Sequence, residues 1–174
     1  MGKSDWWQLY TDLLSPYYKV RWYDSCSLAQ VKLTPFTQEH LHQQFINGGI
    51  DLAVATLLEN GLQQSGPPTI LAFSIGGTIA WKAVQAGLAA EQFYAVSATR
   101  LRYERESLPI EGCLWYGGED AYRPNTEWLS QQRLSSDILV GGEHECYRDV
   151  EVAQHVSELI IGRNESRRYI AGEK

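Results

Sequence analysis

The run Ile70-Leu71-Ala72-Phe73-Ser74-Ile75-Gly76-Gly77-Thr78-Ile79-Ala80-Trp81 carries more structural information than any other stretch of this chain. Thr69 to Phe73 reads as a short apolar strand of the kind buried on both faces of a parallel sheet. Two glycines then open an amphipathic helix from Thr78 to Ala86. A serine on such a strand-to-helix turn stands clear of the sheet, with its hydroxyl at the helix N-terminus, and the small residues let two backbone segments approach closely. That is the geometry of a nucleophile elbow. The strict pattern is G-x-S-x-G, and Ala72 takes the place of its first glycine. A serine before Gly-Gly also serves as an ordinary helix cap, so the turn alone leaves both readings open.

Strands and helices alternate on either side of this turn. Upstream, apolar residues at Trp6, Leu9, Tyr10, Leu13 and Leu14 mark a helix that ends before Pro16, and Tyr17 to Asp24 reads as a strand. Thr37 caps a helix carrying Leu41, Phe45 and Ile46. Gly48-Gly49 interrupts it, and Ile50 to Leu62 continues as helix up to the turn at Ser65-Gly66-Pro67-Pro68. Downstream, Gln92 to Ser97 is a strand, Thr99 to Pro109 a polar loop, Gly112 to Tyr116 a strand and Pro124 to Gln132 a helix. Asp137 to Val140 is the last strand. Asp149 to Ile161 is a helix, and a polar tail follows from about Arg163. This alternation predicts a single α/β domain: a three-layer α/β/α sandwich on a mainly parallel sheet.

Bulk properties narrow the function classes. The chain has 174 residues, a hydrophobic fraction of 44% and a charged fraction of 21%, which suit one globular domain. A net charge of −6 gives no reason to expect nucleic acid or an anionic membrane as partner. No apolar stretch approaches the roughly 18 residues that span a bilayer. Three separated cysteines, Cys26, Cys113 and Cys146, argue against a disulfide framework. A cytoplasmic location is therefore expected. Neither dinucleotide nor P-loop fingerprint is present, so no cofactor is expected. The run Glu143-His144-Glu145-Cys146 is rich in metal-ligating types, but successive residues rarely all face one ion, and no metal is expected.

In open α/β sheets, functional residues sit on loops at the carboxyl ends of strands. Three such loops stand out: the one holding Ser74, the one from Leu114 to Pro124 with Asp120, and the one from Leu139 to Glu145 with His144. Each residue also has a plain reading. Asp120 can be an N-cap or a turn aspartate before Pro124, Glu119 and Asp137 are rival acids, and His144 can be a surface histidine. His40 and His42 lie two apart on a helix and face different directions. His155 sits beside an apolar stripe as a structural residue.

Together, the three loops resemble those of the α/β-hydrolase family, from about residue 5 to residue 161. There a serine elbow comes first, an acid follows in a G-x-x-D-x-x-x-P context matched here by Gly117, Asp120 and Pro124, and a histidine lies after the last strand. The resemblance implies Ser74 as nucleophile, His144 as base and Asp120 as the acid that orients the imidazole. It also implies an oxyanion hole with the backbone N–H of Ile75 as one donor. The second donor normally comes from a loop ahead of the first helix, where the backbone N–H of Lys3, or else of Ser4, is the candidate. Residues 1–4 are too short for the strand that usually precedes that loop. We therefore expect either that the natural chain begins upstream or, as the alternative, that a homodimer closes the gap.

With about a dozen residues from Ala98 to Pro109, no large lid is expected. Arg100 and Arg102 lie just past a strand's carboxyl end, as candidate ligands for a substrate carboxylate or as charged surface. Trp115, Tyr116, Tyr122 and Trp128 are candidates for an acyl pocket or for the core. The expected activity is serine-dependent hydrolysis of a small carboxylic ester or thioester. The alternatives are an acyltransferase with the same triad and a non-catalytic interaction protein on the same fold.

Overall fold

The computed structural model describes residues 5–34, 37–59 and 66–171, with side chains described to residue 167. They divide into two compact units, Met1–Trp22 with Glu145–Lys174, and Tyr23–His144.

The second unit holds the sheet. Its elements are α2 (Ser25–Leu28), α3 (Gln38–Gln44), a π-helical turn (Phe45–Gly49), α4 (Ile50–Glu59), β1 (Thr69–Phe73) and α5 (Ile75–Gln85). They continue with β2 (Gln92–Val96), a 3-10 turn (Thr99–Tyr103), β3 (Glu111–Gly117), α6 (Thr126–Ser130) and β4 (Ser135–Leu139). The first unit contributes α1 (Trp6–Leu14) and α7 (Val150–Ala171). The strands run in the order β1-β2-β3-β4, every pair parallel. Phe73 pairs with Val96, Val96 with Trp115, and Gly117 with Leu139, so the four carboxyl ends lie along one edge of the sheet.

Side chains alternate across β2 and β3. Phe93, Ala95, Leu114 and Tyr116 join Ala72 and the α5 residues Ala80 and Trp81 in one buried cluster that also takes in Leu101, Leu129 and Leu134. The Trp81 ring meets Phe93 edge-on at 5.5 Å. On the opposite face, Tyr94 and Trp115 are fully buried and their rings stack at 5.8 Å. Burying rings of this size supplies about 1.5–3 kcal/mol each from the hydrophobic effect. The other side of α5 presents Ile79 to Phe45, Ile50 and Ala53.

Several expectations change. Ile70, Leu71 and Phe73 are only half-buried because β1 ends the sheet among the described strands. Tyr17 to Asp24 forms no strand. Two of its aromatic residues bind within the first unit instead: Trp22 donates from Nε1 to Thr11 Oγ1 at 2.6 Å and Tyr18 donates to the Ile160 carbonyl at 3.4 Å. Thr37 caps α3 as expected, accepting from His40 N–H, and Gly48 takes φ +107 in the π-helical turn, where the helix was expected to be interrupted. The expected end of the following helix at Leu62 and the turn residue Ser65 lie outside the described residues. The last helix does not fray after Gly162 but runs to Ala171. One glycine costs a helix only about 1 kcal/mol, and Ser166 bonds back to the Gly162 carbonyl. On this helix Ala153, Val156 and Ile160 are buried, whereas His155 is exposed.

Among the described residues no helix is long and apolar enough to cross a membrane. Of the cysteines, Cys113 and Cys146 are buried and Cys26 is half-buried. Burial, helped by the Asp24 carboxylate that caps α2, pushes the Cys26 thiol above the ordinary thiol range. Thiolate is the reactive form, so Ellman's reagent will modify Cys26 slowly at neutral pH and faster as pH rises. Cys113 and Cys146 will react only on unfolding. Rapid neutral-pH labelling of Cys26 would contradict this environment.

Candidate active site

Ser74 follows β1 directly, and its N–H donates to the Val96 carbonyl at 2.9 Å, which ties the turn to β2. Its backbone lies at φ +47, ψ −123, a conformation that non-glycine residues rarely adopt and that costs roughly 1–3 kcal/mol. The helix begins at Ile75, yet the Ser74 side chain makes no capping hydrogen bond. The capping reading therefore fails, and the hydroxyl is directed elsewhere. Close packing explains the second glycine: a Cβ on Gly77 would stand 2.4 Å from the Ala98 Cβ. Ala72, in contrast, fits its methyl into the core, so the missing first glycine does not disturb the turn.

The hydroxyl meets His144. Ser74 Oγ lies 3.0 Å from His144 Nε2, and His144 Nδ1 lies 2.8 Å from Asp120 Oδ2. Asp120 is buried while the His144 side chain keeps about a third of its surface exposed, 32%. The other carboxylate oxygen, Asp120 Oδ1, accepts from Tyr122 N–H at 2.9 Å. In the tautomer that carries its proton on Nδ1, the imidazole donates to the Asp120 carboxylate and Nε2 accepts from the serine hydroxyl. The helix-cap reading of Asp120 also fails, because Asn125 Oδ1 caps α6. The rival acids Glu119 and Asp137 are exposed.

Backbone contacts hold the acid and histidine loops together. Gly118 N–H donates to the Leu139 carbonyl at 2.8 Å and Glu119 N–H to the Gly142 carbonyl at 2.9 Å. Ile75 supplies the first N–H of α5, which has no partner inside the helix and lies at the positive end of its dipole. Lys3 and Ser4, the candidates for the second donor, lie outside the described residues.

The remaining candidates separate. Trp115 and Tyr116 are fully buried core residues, and Trp128 packs near Trp81 and donates to the Glu104 carbonyl at 2.8 Å. Tyr122 is 67% exposed. Arg102 directs its guanidinium at the Thr99 and Tyr122 carbonyls, and Arg100 lies with its guanidinium carbon 5.2 Å from the Tyr103 ring centroid. Among the described residues no three His, Cys, Asp or Glu side chains converge as a metal site would require. An open cavity of about 550 Å³ lined by Val31, His40, Gln44 and Leu52 includes none of the three residues Ser74, Asp120 and His144. The Tyr122 N–H and the Arg102 contacts had no sequence motif to announce them.

No family model matches this sequence, and no curated protein matches it. A solved structure does: a protein of unknown function from Agrobacterium tumefaciens, described as a candidate alpha/beta hydrolase. The two superpose with a TM-score of 0.54 at 20% identity, over 72% of this chain and 62% of that one. The present chain thus spans less than two thirds of the neighbour's length. At that identity the likeness shows the fold, a three-layer α/β fold built on a parallel sheet.

Proposed function

We propose that Ser74, His144 and Asp120 are the catalytic triad of a serine hydrolase that cleaves a small carboxylic ester or thioester through an acyl-Ser74 intermediate. The observation that carries this reading is the continuous contact Ser74 Oγ–His144 Nε2–His144 Nδ1–Asp120 Oδ2 at 3.0 and 2.8 Å, with the serine on a strained turn.

In this reading Ser74 Oγ attacks the carbonyl carbon as its proton passes to His144 Nε2. The tetrahedral intermediate places its negative oxygen at the Ile75 N–H, where the dipole of α5 favours it. Collapse breaks the bond to the leaving alcohol or thiol, which takes the proton from Nε2. Water then repeats the sequence on the acyl-serine, with His144 as base and then as acid. Asp120 holds its hydrogen bond to Nδ1 throughout and stabilises the imidazolium. Only residues 97–110 separate β2 from β3, and a 3-10 turn fills part of that span. The site is accordingly read as open, suited to small acyl groups and without a closing lid.

The test pairs turnover of short-chain p-nitrophenyl esters with labelling by a fluorophosphonate, located by mass spectrometry. The folded protein is expected to hydrolyse the ester and to carry the label on Ser74, and heat-unfolded protein should carry none. A folded protein that does neither is not a serine hydrolase. Rapid acyl transfer to an added alcohol in place of hydrolysis would assign the same triad to an acyltransferase.

A further inference from the structure

We propose that Arg102 is a positioning residue for the acid of the triad, holding the Tyr122 segment whose N–H orients Asp120. This rests on the reading of Ser74, His144 and Asp120 given above.

A buried carboxylate needs a donor for each oxygen, since an unsatisfied one costs about 1–3 kcal/mol. Asp120 meets His144 through Oδ2 and Tyr122 N–H through Oδ1. The second donor sits in an exposed turn, with both Ala121 and Tyr122 open to solvent. Such a turn moves readily unless something outside it holds it. Arg102 does this. Its Nη1 donates to the Tyr122 carbonyl at 3.2 Å and to the Thr99 carbonyl at 2.8 Å, and its Nη2 donates to the Tyr103 hydroxyl at 2.8 Å. The same guanidinium lies 4.3 Å from the Tyr103 ring centroid and 5.8 Å from that of Tyr122. The 3-10 turn that carries Arg102 is itself anchored by Leu101, fully buried in the core beneath the sheet.

The chain of contacts therefore runs from a rigid element through Arg102, the Tyr122 peptide and Asp120 to His144. A planar fork with several fixed donors suits this task, and a lysine ammonium does not reproduce it. With its donors directed at protein acceptors, Arg102 holds the acid loop and does not bind a substrate carboxylate.

The experiment compares Arg102→Met and Arg102→Lys with wild type on a p-nitrophenyl ester, with Arg105→Ala as a control from the same loop. Both Arg102 variants are expected to lose about 10–100-fold in kcat with KM nearly unchanged, because displacements of about 1 Å cost this much. In an Asp120→Asn background, Arg102→Met should add less than about twofold, as residues acting through one group are not additive. A raised KM at constant kcat would make Arg102 a substrate ligand and overturn the proposal. So would an equal loss in both backgrounds, the signature of a merely structural role.

A second readout needs no substrate. The downfield proton NMR signal of His144 Nδ1–H should be present in wild type and Arg105→Ala and broadened by exchange in both Arg102 variants. An unchanged signal in folded Arg102→Met or Arg102→Lys overturns the proposal even if the protein turns over no ester. Absence of Ser74-dependent turnover or labelling in wild type counts separately, against the hydrolase reading.

Discussion

Ser74→Ala and His144→Ala will each lower kcat/KM on a p-nitrophenyl ester by at least about 10⁴-fold, and the double variant will be little worse than either. Neither residue has a use without the other in the proposed chemistry. The hydroxyl is a weak nucleophile until Nε2, 3.0 Å away, accepts its proton, and the imidazole has no other substrate-facing task. Losses that multiply instead would mean that the two residues act independently, and the triad assignment would fail. The backbone adds a second, chemical-free signature. Ser74 sits at φ +47, ψ −123, which glycine adopts far more easily than serine or alanine. Ser74→Gly should therefore be as inactive as Ser74→Ala but more stable than it by about 1 kcal/mol, read from chemical denaturation. Equal stability would show that the turn is not strained.

The meeting of Ser74, Asp120 and His144 was legible in the sequence because each residue follows a strand in the alternating α/β pattern. Ser74, Gly117 and Leu139 are the residues at or just past strand ends, and the parallel register brings those ends to one edge. Chain order did the rest. The failures have a common physical cause, which is that local pattern cannot weigh tertiary partners. Tyr17 to Asp24 alternates like a strand, yet Tyr18 and Trp22 find partners within the first unit. The stretch after Gly162 is polar enough to read as a tail, yet it stays helical to Ala171. The two readings of Trp115 and Tyr116, pocket or core, could be separated only by the fold: both lie fully buried on β3, in the core. Contacts such as Arg102 to the Tyr122 carbonyl join residues 20 apart through a peptide group, and no motif records them.

The glycine at the end of β3 provides the second large effect. Gly117→Ala is expected to lower kcat about 10²-fold and to destabilise the protein by about 1–3 kcal/mol. A Cβ on Gly117 would stand 2.3 Å from the Gly142 carbonyl oxygen and 2.5 Å from that of Glu143. Both are backbone atoms, so no side-chain rotation relieves the clash, and the acid and histidine loops must separate by roughly 1 Å. That displacement falls between Asp120 and His144, on the 2.8 Å contact that fixes the imidazole. Gly118 is the control. A Cβ there would meet the Leu139 carbonyl oxygen at 3.3 Å, a contact that a small adjustment accommodates, and its own N–H bond to that oxygen survives. Gly118→Ala should keep activity within a few-fold of wild type, with the rate of fluorophosphonate labelling as the readout and thermal melting as the check on folding. If Gly117→Ala labels at the wild-type rate while folded, close approach of the two loops is not what aligns the site. If both variants lose activity equally, the loss belongs to the loop as a whole and not to the space that only a glycine leaves at position 117.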